Sequence, residues 1–280
     1  MKVLIAGANG QLGRAIRLVS DSKIKCYAPE ESKFDVTDSD CVLRVFDSIK
    51  PDAVINCAAY TSVDRAETDC QRCFDINVNG TKNLVKACEK YNSALMLLST
   101  DYVFDGYSTQ PYETMDFRNP LNVYGRSKML AEDIVLSFKK SYVVRTSWMF
   151  GDGQNFVRTI CGAGRSGKQL RVVDDQIGSP TYAEDLAPLL LTIISDERYN
   201  IYHITNEGYC SWADLAEESL KLMGIDAGVE RVNSAQYNSK TMRPYNSRLS
   251  KCSLDEAGYD RLPSWLDGLK RYIDKYGERI

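Results

Sequence analysis

Tyr124 and Lys128 stand four residues apart in Asn122-Val123-Tyr124-Gly125-Arg126-Ser127-Lys128, so a helix there carries both side chains on one face. A phenol titrates near ~10 and needs help to give a proton at neutral pH. A cation one turn away stabilises the phenolate, and the same ammonium can grip a ribose. A hydroxyl able to hold a carbonyl oxygen before that pair lies upstream, at Thr100 in Leu98-Ser99-Thr100-Asp101-Tyr102. Together these residue types fit reduction of a carbonyl: Tyr124 gives the proton, Lys128 assists, and Thr100 orients. A Y-x-x-x-K spacing is common by itself, so its place in the fold must carry the reading.

The electron donor is indicated at the start of the chain. Lys2–Ala6 reads as a strand running into Gly7-Ala8-Asn9-Gly10-Gln11-Leu12-Gly13 and then a helix. The first glycine permits the tight turn, the second lets backbone amides approach a pyrophosphate, and the third allows close helix packing. The helix N-terminus then offers free N–H groups and partial positive charge to the anion. The spacing is G-x-x-G-x-x-G, which departs from the closer glycine pair of most dinucleotide folds. The second strand ends at Tyr27-Ala28-Pro29, followed by Glu30 and Glu31, with no Arg there to meet a 2′-phosphate. Either NADH or NADPH is therefore admitted.

The elements that must position these groups alternate. Strand candidates are Val3–Ala6, Ile24–Ala28, Ala53–Asn56, Ala94–Leu98 and Tyr142–Arg145. Helical spacing covers Leu12–Val19, Ser39–Ile49, Cys70–Lys90 and Val123–Phe138. Nearly continuous apolar strands alternating with helices imply an α/β fold, a doubly wound parallel sheet of Rossmann type. Thr100 then lies at the carboxyl end of the fourth strand, the ligand-binding edge of such sheets. After about Arg145 the rhythm breaks into shorter elements, with loops at Gly151–Asn155 and Asp174–Thr181 and a segment Arg243–Leu249. The expected division is a dinucleotide-binding domain over 1–150 and a smaller, partly interleaved C-terminal substrate-binding lobe over 151–280, with a soft boundary.

Bulk properties exclude several classes. Of 280 residues, 44% are hydrophobic and 26% charged, the balance of a globular protein. With 35 Lys+Arg against 38 Asp+Glu the net charge is −3, which argues against nucleic acid or a membrane as main partner. The first strand meets glycines too early for a signal-peptide core, and no apolar run approaches the ~20 residues of a membrane span. A cytoplasmic location is expected. The nine cysteines are scattered; Cys70 and Cys73 form one C-x-x-C without the further ligands of a zinc site, so they read as structural thiols. His203, the only histidine, follows the apolar Ile201-Tyr202 and reads as structural too.

With GxxGxxG, a Thr after the fourth strand and YxxxK in that order, the chain resembles the extended, sugar-nucleotide-modifying short-chain dehydrogenases. Within them it is most similar to the dTDP-4-dehydrorhamnose reductase family over nearly its whole length. The matching stretches are GANGQLG (7–13), DVTD (35–38), NCAAYTSVDRAE (56–67), STDYVFDG (99–106), YGRSK (124–128), RTSWMFG (145–151), DDQIGSPTYAEDLA (174–187) and RPYNSRL (243–249). Cys57 stands where the family usually has Ala. The resemblance implies reduction of the 4-keto group of dTDP-4-dehydro-6-deoxy-L-mannose to dTDP-L-rhamnose. It puts Gly10, Gln11 and Leu12 at the pyrophosphate, with Gly7 and Gly13 completing the loop. Asp35 and Val36 fall at the adenine end, and Ala58, Ala59 and Tyr60 toward the nicotinamide, where Tyr124 and Lys128 also meet the cofactor. Thr100, Asp101 and Trp148 would face the sugar; Trp148 could instead be core between lobes, Asp35 a helix cap, and Asp101 a turn residue. Arg243 and Pro244 look like a nucleotide- or lobe-fixing element. The resemblance also admits Mg2+, with no ligands assignable, and a homodimer. Two alternatives stay open: a reductase of another nucleotide-linked 4-keto-6-deoxysugar, and a non-catalytic dinucleotide-binding regulatory subunit, which would not need to keep a proton donor.

Overall fold

Apolar residues on both sides of each strand oblige the chain to cover a sheet on both faces, and that is the arrangement in the computed structural model, which describes residues 1–19 and 22–280. Six strands form one parallel sheet: β1 (Lys2–Ala6), β2 (Lys25–Tyr27), β3 (Ala53–Asn56), β4 (Ala94–Thr100), β5 (Ser141–Thr146) and β6 (Ile201–His203). Their order across the sheet is β6-β5-β4-β3-β1-β2. The chain runs outward from β1 to β2, then returns past β1 to β3. This reversal opens a crevice at the carboxyl ends of the strands.

Strand alternation divides the core in two. Val3, Ile5, Ile55, Met96 and Val144 point to one face, under helices Gln11–Leu18 and Ala183–Ser195 through Leu12, Ile16, Leu186 and Leu190. Leu4, Val54, Leu95, Leu97 and Val143 point to the other, under helices Ser39–Ile49, Gly80–Tyr91 and Val123–Leu136 through Phe46, Leu84, Ala131 and Val135.

The second half is more regular than its sequence suggests. Helices Phe156–Arg165, Trp212–Leu222 and Trp265–Tyr276 pack with short strand pairs, while Ala183–Ser195 and β6 return to the main sheet. The stretch expected as one helix over Cys70–Lys90 is interrupted by a π-turn at Asp75–Asn79, between helices Cys70–Phe74 and Gly80–Tyr91. The extra residue turns Asn77 inward. Its amide accepts from Tyr60 N–H at 2.8 Å and donates to Ser127 Oγ at 2.8 Å, tying the loop after β3 to the Val123–Leu136 helix.

Candidate active site

Gly7 ends β1 in the left-handed region, φ 75°, and a Cβ there would lie 2.6 Å from Ala58 N. Only glycine fits that close approach of two strand-end loops. At Gly10 an added Cβ would meet nothing nearer than 3.4 Å, so the next loop faces open space. Gly10 also caps helix Gln11–Leu18 with no side chain bonded to its first amides. Free amides above a groove fit the pyrophosphate of a dinucleotide.

Two adjoining cavities run along the carboxyl ends of the strands and share Asn9, Gly10, Cys57 and Ala59. One, of about 550 Å³, is lined by Gly7, Asp35, Val36 and Ala58. The other, of about 600 Å³, is lined by Gln11, Leu12, Gly13, Thr100, Asp101, Tyr124, Lys128 and Trp148. Tyr60 alone of the expected site residues lines neither; its hydroxyl donates to Asp69 at 3.1 Å. Asp35 accepts from the N–H and hydroxyl of Thr37, both at 2.8 Å, so it shapes its own turn while lining the groove.

Helix Val123–Leu136 starts where it does because Asn122 caps it, accepting from Gly125 N–H at 2.8 Å. A Cβ at residue 125 would fall 2.2 Å from Tyr102 O, so that glycine lets the helix start rest on the turn after β4. Tyr124 is thereby brought beside Thr100. Burial pushes the Tyr124 phenol above its usual range, and the hydrogen bond with Thr100 opposes the rise. Lys128 stands one turn further along the same helix and lines the same cavity. Lys128 is itself desolvated: burial brings its ammonium down to about 8, with Glu132 the main opposing charge.

Thr100 Oγ1 donates to Asp101 Oδ1 at 2.9 Å, so its proton faces Asp101 rather than a free cavity. Burial raises the Asp101 carboxyl to about 6, against hydrogen bonds from Ser247 and Thr100. Trp148 sits at φ 48°, rare for so bulky a residue. It stacks on Trp212 and also lines the cavity, so the alternative of pure core is too simple.

A family model described as the RmlD substrate binding domain matches residues 1–278. A dTDP-4-dehydrorhamnose reductase of Aggregatibacter actinomycetemcomitans is 39% identical, over 99% of this chain and 99% of its own. The chain belongs to the dTDP-4-dehydrorhamnose reductase family. Two solved reductases of that name resemble it closely. The one from Clostridium acetobutylicum has a TM-score of 0.96 at 38% identity, covering 99% of this chain and 100% of its own. The one from Bacillus anthracis, in complex with NADP, has 0.94 at 34%, covering 98% and 99%.

Within this reductase-family site, several residues escaped the sequence reading. Trp212, Asp152 and Gln154 line the sugar-side cavity and Arg72 the adenine-side one, where Glu31, already noted after the second strand, stands as well. Asp152 pairs with Arg14 at 3.4 Å, joining the loop after β5 to the first helix. Only Arg72 had a local cue, a basic side chain on a helix just after the NCAAYT stretch. His203 is structural as expected: buried, pushed down to about 3 by burial and Arg145, and bonded to Tyr112 O and Arg145. Arg243 fixes loops, donating to both Asp64 carboxylate oxygens at 2.8 Å, and Pro244 packs on Gly106. None of the nine cysteines, all of them among the described residues, is in a disulfide. No group of three or more His, Cys, Asp or Glu able to hold a metal lies among the described residues. No helix among them is long and apolar enough to cross a membrane.

Proposed function

We propose that this chain reduces the 4-keto group of dTDP-4-dehydro-6-deoxy-L-mannose to dTDP-L-rhamnose, using NADPH or NADH. The observation that carries the reading is one cavity lined both by the glycine loop, Gly10–Gly13, and by Thr100, Tyr124 and Lys128. A regulatory subunit would have no use for that convergence.

A nicotinamide held in this groove would supply the hydride for the sugar C4, and the protein's residues do the rest. Amides at Gly10, Gln11 and Leu12 hold the pyrophosphate, with Gly7 and Gly13 shaping the loop. Asp35 and Val36 border the adenine, and Ala58 and Ala59 the path inward. Tyr60 supports that path from behind through Asn77. Tyr124, held protonated by burial, has its proton ready for the developing alkoxide. Lys128 faces the cavity as a cation able to hold the ribose and receive the phenolate beside it. Thr100 reaches the carbonyl by rotating its hydroxyl from Asp101 to the substrate, while Asp101 and Trp148 border the sugar.

The division into a dinucleotide-binding part, 1–150, and a substrate-binding lobe, 151–280, belongs to the same proposal, with Ala183–Ser195 and β6 serving the first part. So does a cytoplasmic homodimer, which light scattering would check. The deciding assay supplies the dTDP-4-keto sugar with each cofactor, following absorbance at the nicotinamide band and the product sugar. Oxidation of NAD(P)H with formation of dTDP-L-rhamnose supports the proposal; none with either cofactor overturns it.

A further inference from the structure

One turn beyond Lys128, Glu132 is fully buried and gathers four hydrogen bonds. Oε1 accepts from Arg145 Nε at 2.9 Å and from Ser99 Oγ at 2.5 Å. Oε2 accepts from Arg145 Nη2 at 2.8 Å and Arg118 Nη1 at 2.9 Å. Arg145, also buried, spends its remaining donors on Thr114 O and His203 and lies over the Phe104 ring. A buried ion pair is weak evidence of a purely stabilising role, because apolar residues of similar size often do as well. The places it joins are more informative. Ser99 directly precedes Thr100, Arg145 lies three residues before Trp148, and Glu132 shares the helix of Tyr124 and Lys128.

Lys128 has a matching need. It is buried, and its ammonium makes no ion pair among the described residues. The ionisable groups acting on it are Glu132 from its own helix, Cys57 after β3 and Cys73 from helix Cys70–Phe74. Glu132 is the only carboxylate among them. Around Glu132 stand Arg145 from β5, Arg118 from the preceding loop, Asp133 paired with Arg118, and His203 from β6.

We propose that Glu132 is a positioning residue for the reductase site: it locks the helix bearing Tyr124 and Lys128 to the strand ends bearing Thr100 and Trp148, and supplies the countercharge that keeps Lys128 cationic. The inference rests on the reductase reading above. Two substitutions then act in opposite directions. Glu132→Gln removes the countercharge, so Lys128 loses its proton at lower pH and the basic limb of kcat/KM moves down by about one pH unit. Arg118→Ala removes a cation that offsets Glu132, so the same limb moves up. Arg118 is partly exposed, and its loss leaves the buried Arg145–Glu132 pair in place.

The experiment records kcat/KM against pH for the full-length protein and both variants, together with NADPH affinity against pH by fluorescence, which needs no turnover. Opposite shifts support the proposal. Unmoved limbs, or shifts in the same direction, would reduce Glu132 to a packing ion pair. Should Glu132→Gln not fold, Arg118→Ala decides alone: an upward limb supports the proposal, and an unchanged or lowered one overturns it. Failure of the unsubstituted protein to turn over the dTDP sugar, with pH-dependent NADPH binding intact, would fall on the reductase reading and leave this test standing.

Discussion

Trp148 stacks face to face on Trp212, ring centroids 3.8 Å apart and planes 14° from parallel, while its backbone is held at φ 48°. The indole also lies over Gly178, where an added Cβ would come within 2.7 Å of it. A residue this bulky in the left-handed region costs of order 1–3 kcal/mol, and strain of that kind gathers at ligand sites. Trp148→Gly is therefore expected to melt higher than Trp148→Ala, by about 1 kcal/mol in stability, although it removes one more carbon. Both should raise KM for the dTDP sugar far more than for the cofactor. A large melting loss with unchanged relative KM values would leave Trp148 as packing alone.

For Tyr124 the expectation follows from a phenol that burial keeps protonated. Tyr124→Phe should bind NADPH nearly normally and turn over roughly 10²–10⁴-fold more slowly, the range for a lost general acid. Lys128→Ala should harm both turnover and cofactor affinity, since the proposal asks Lys128 both to hold the ribose and to assist Tyr124. Single-turnover rates and fluorescence titrations separate the two effects. Full activity of Tyr124→Phe would remove it from the mechanism.

The parts of this site that could be read in advance share one property: their signal is local. β1, β3, β4 and β5 are covered on both faces and so read as unbroken apolar runs, and helix Ser39–Ile49 matches its periodicity end to end. The glycine loop and the Tyr124–Lys128 spacing are set by adjacent residues. Trp212 and Asp152 reach the cavity only because the second half folds back over the strand ends, which no neighbouring residue announces. The π-turn is similar: Asn77 turns inward to meet Tyr60 and Ser127, the latter fifty positions away in sequence. The depth of Lys128 was hidden in the same way, because spacing on a helix carries no information about desolvation.

Asp101 gives a pH test whose sign is fixed. Its folded-state value, about 6, lies above the 3.8 of an exposed Asp, so between those values the native protein holds more protons than the unfolded chain. Stability should therefore fall as pH rises from about 4 to 6, with a contribution of about 2–3 kcal/mol. Asp101→Asn can still accept from Thr100 and should flatten that part of the melting-temperature profile, gaining stability at pH 7. If Asp101 also borders the sugar, the same variant loses activity while it gains stability. An unchanged profile would mean that Asp101 is better solvated than its burial implies.

Cofactor choice is expected to turn on a residue that lies far from the second strand in sequence. Glu31 and Arg72 both line the adenine-side cavity, and among the described residues no other cation does. Asp35 there is occupied by Thr37, and Asp75 accepts from Gln71 and Asn79. A 2′-phosphate entering this groove would thus find Arg72 as its one countercharge and Glu31 as an opposing one. The two charges offset, so the preference between NADPH and NADH should stay under about a hundredfold in kcat/KM, some 2.7 kcal/mol. Arg72→Leu should cost NADPH about tenfold in kcat/KM, one lost exposed charge contact, and leave NADH nearly unchanged. Glu31→Gln should favour NADPH instead. Competition by 2′,5′-ADP against 5′-AMP gives the same comparison without the sugar. Equal losses for both cofactors in Arg72→Leu would show that Arg72 packs on the adenine ring and takes no part in reading the 2′ position.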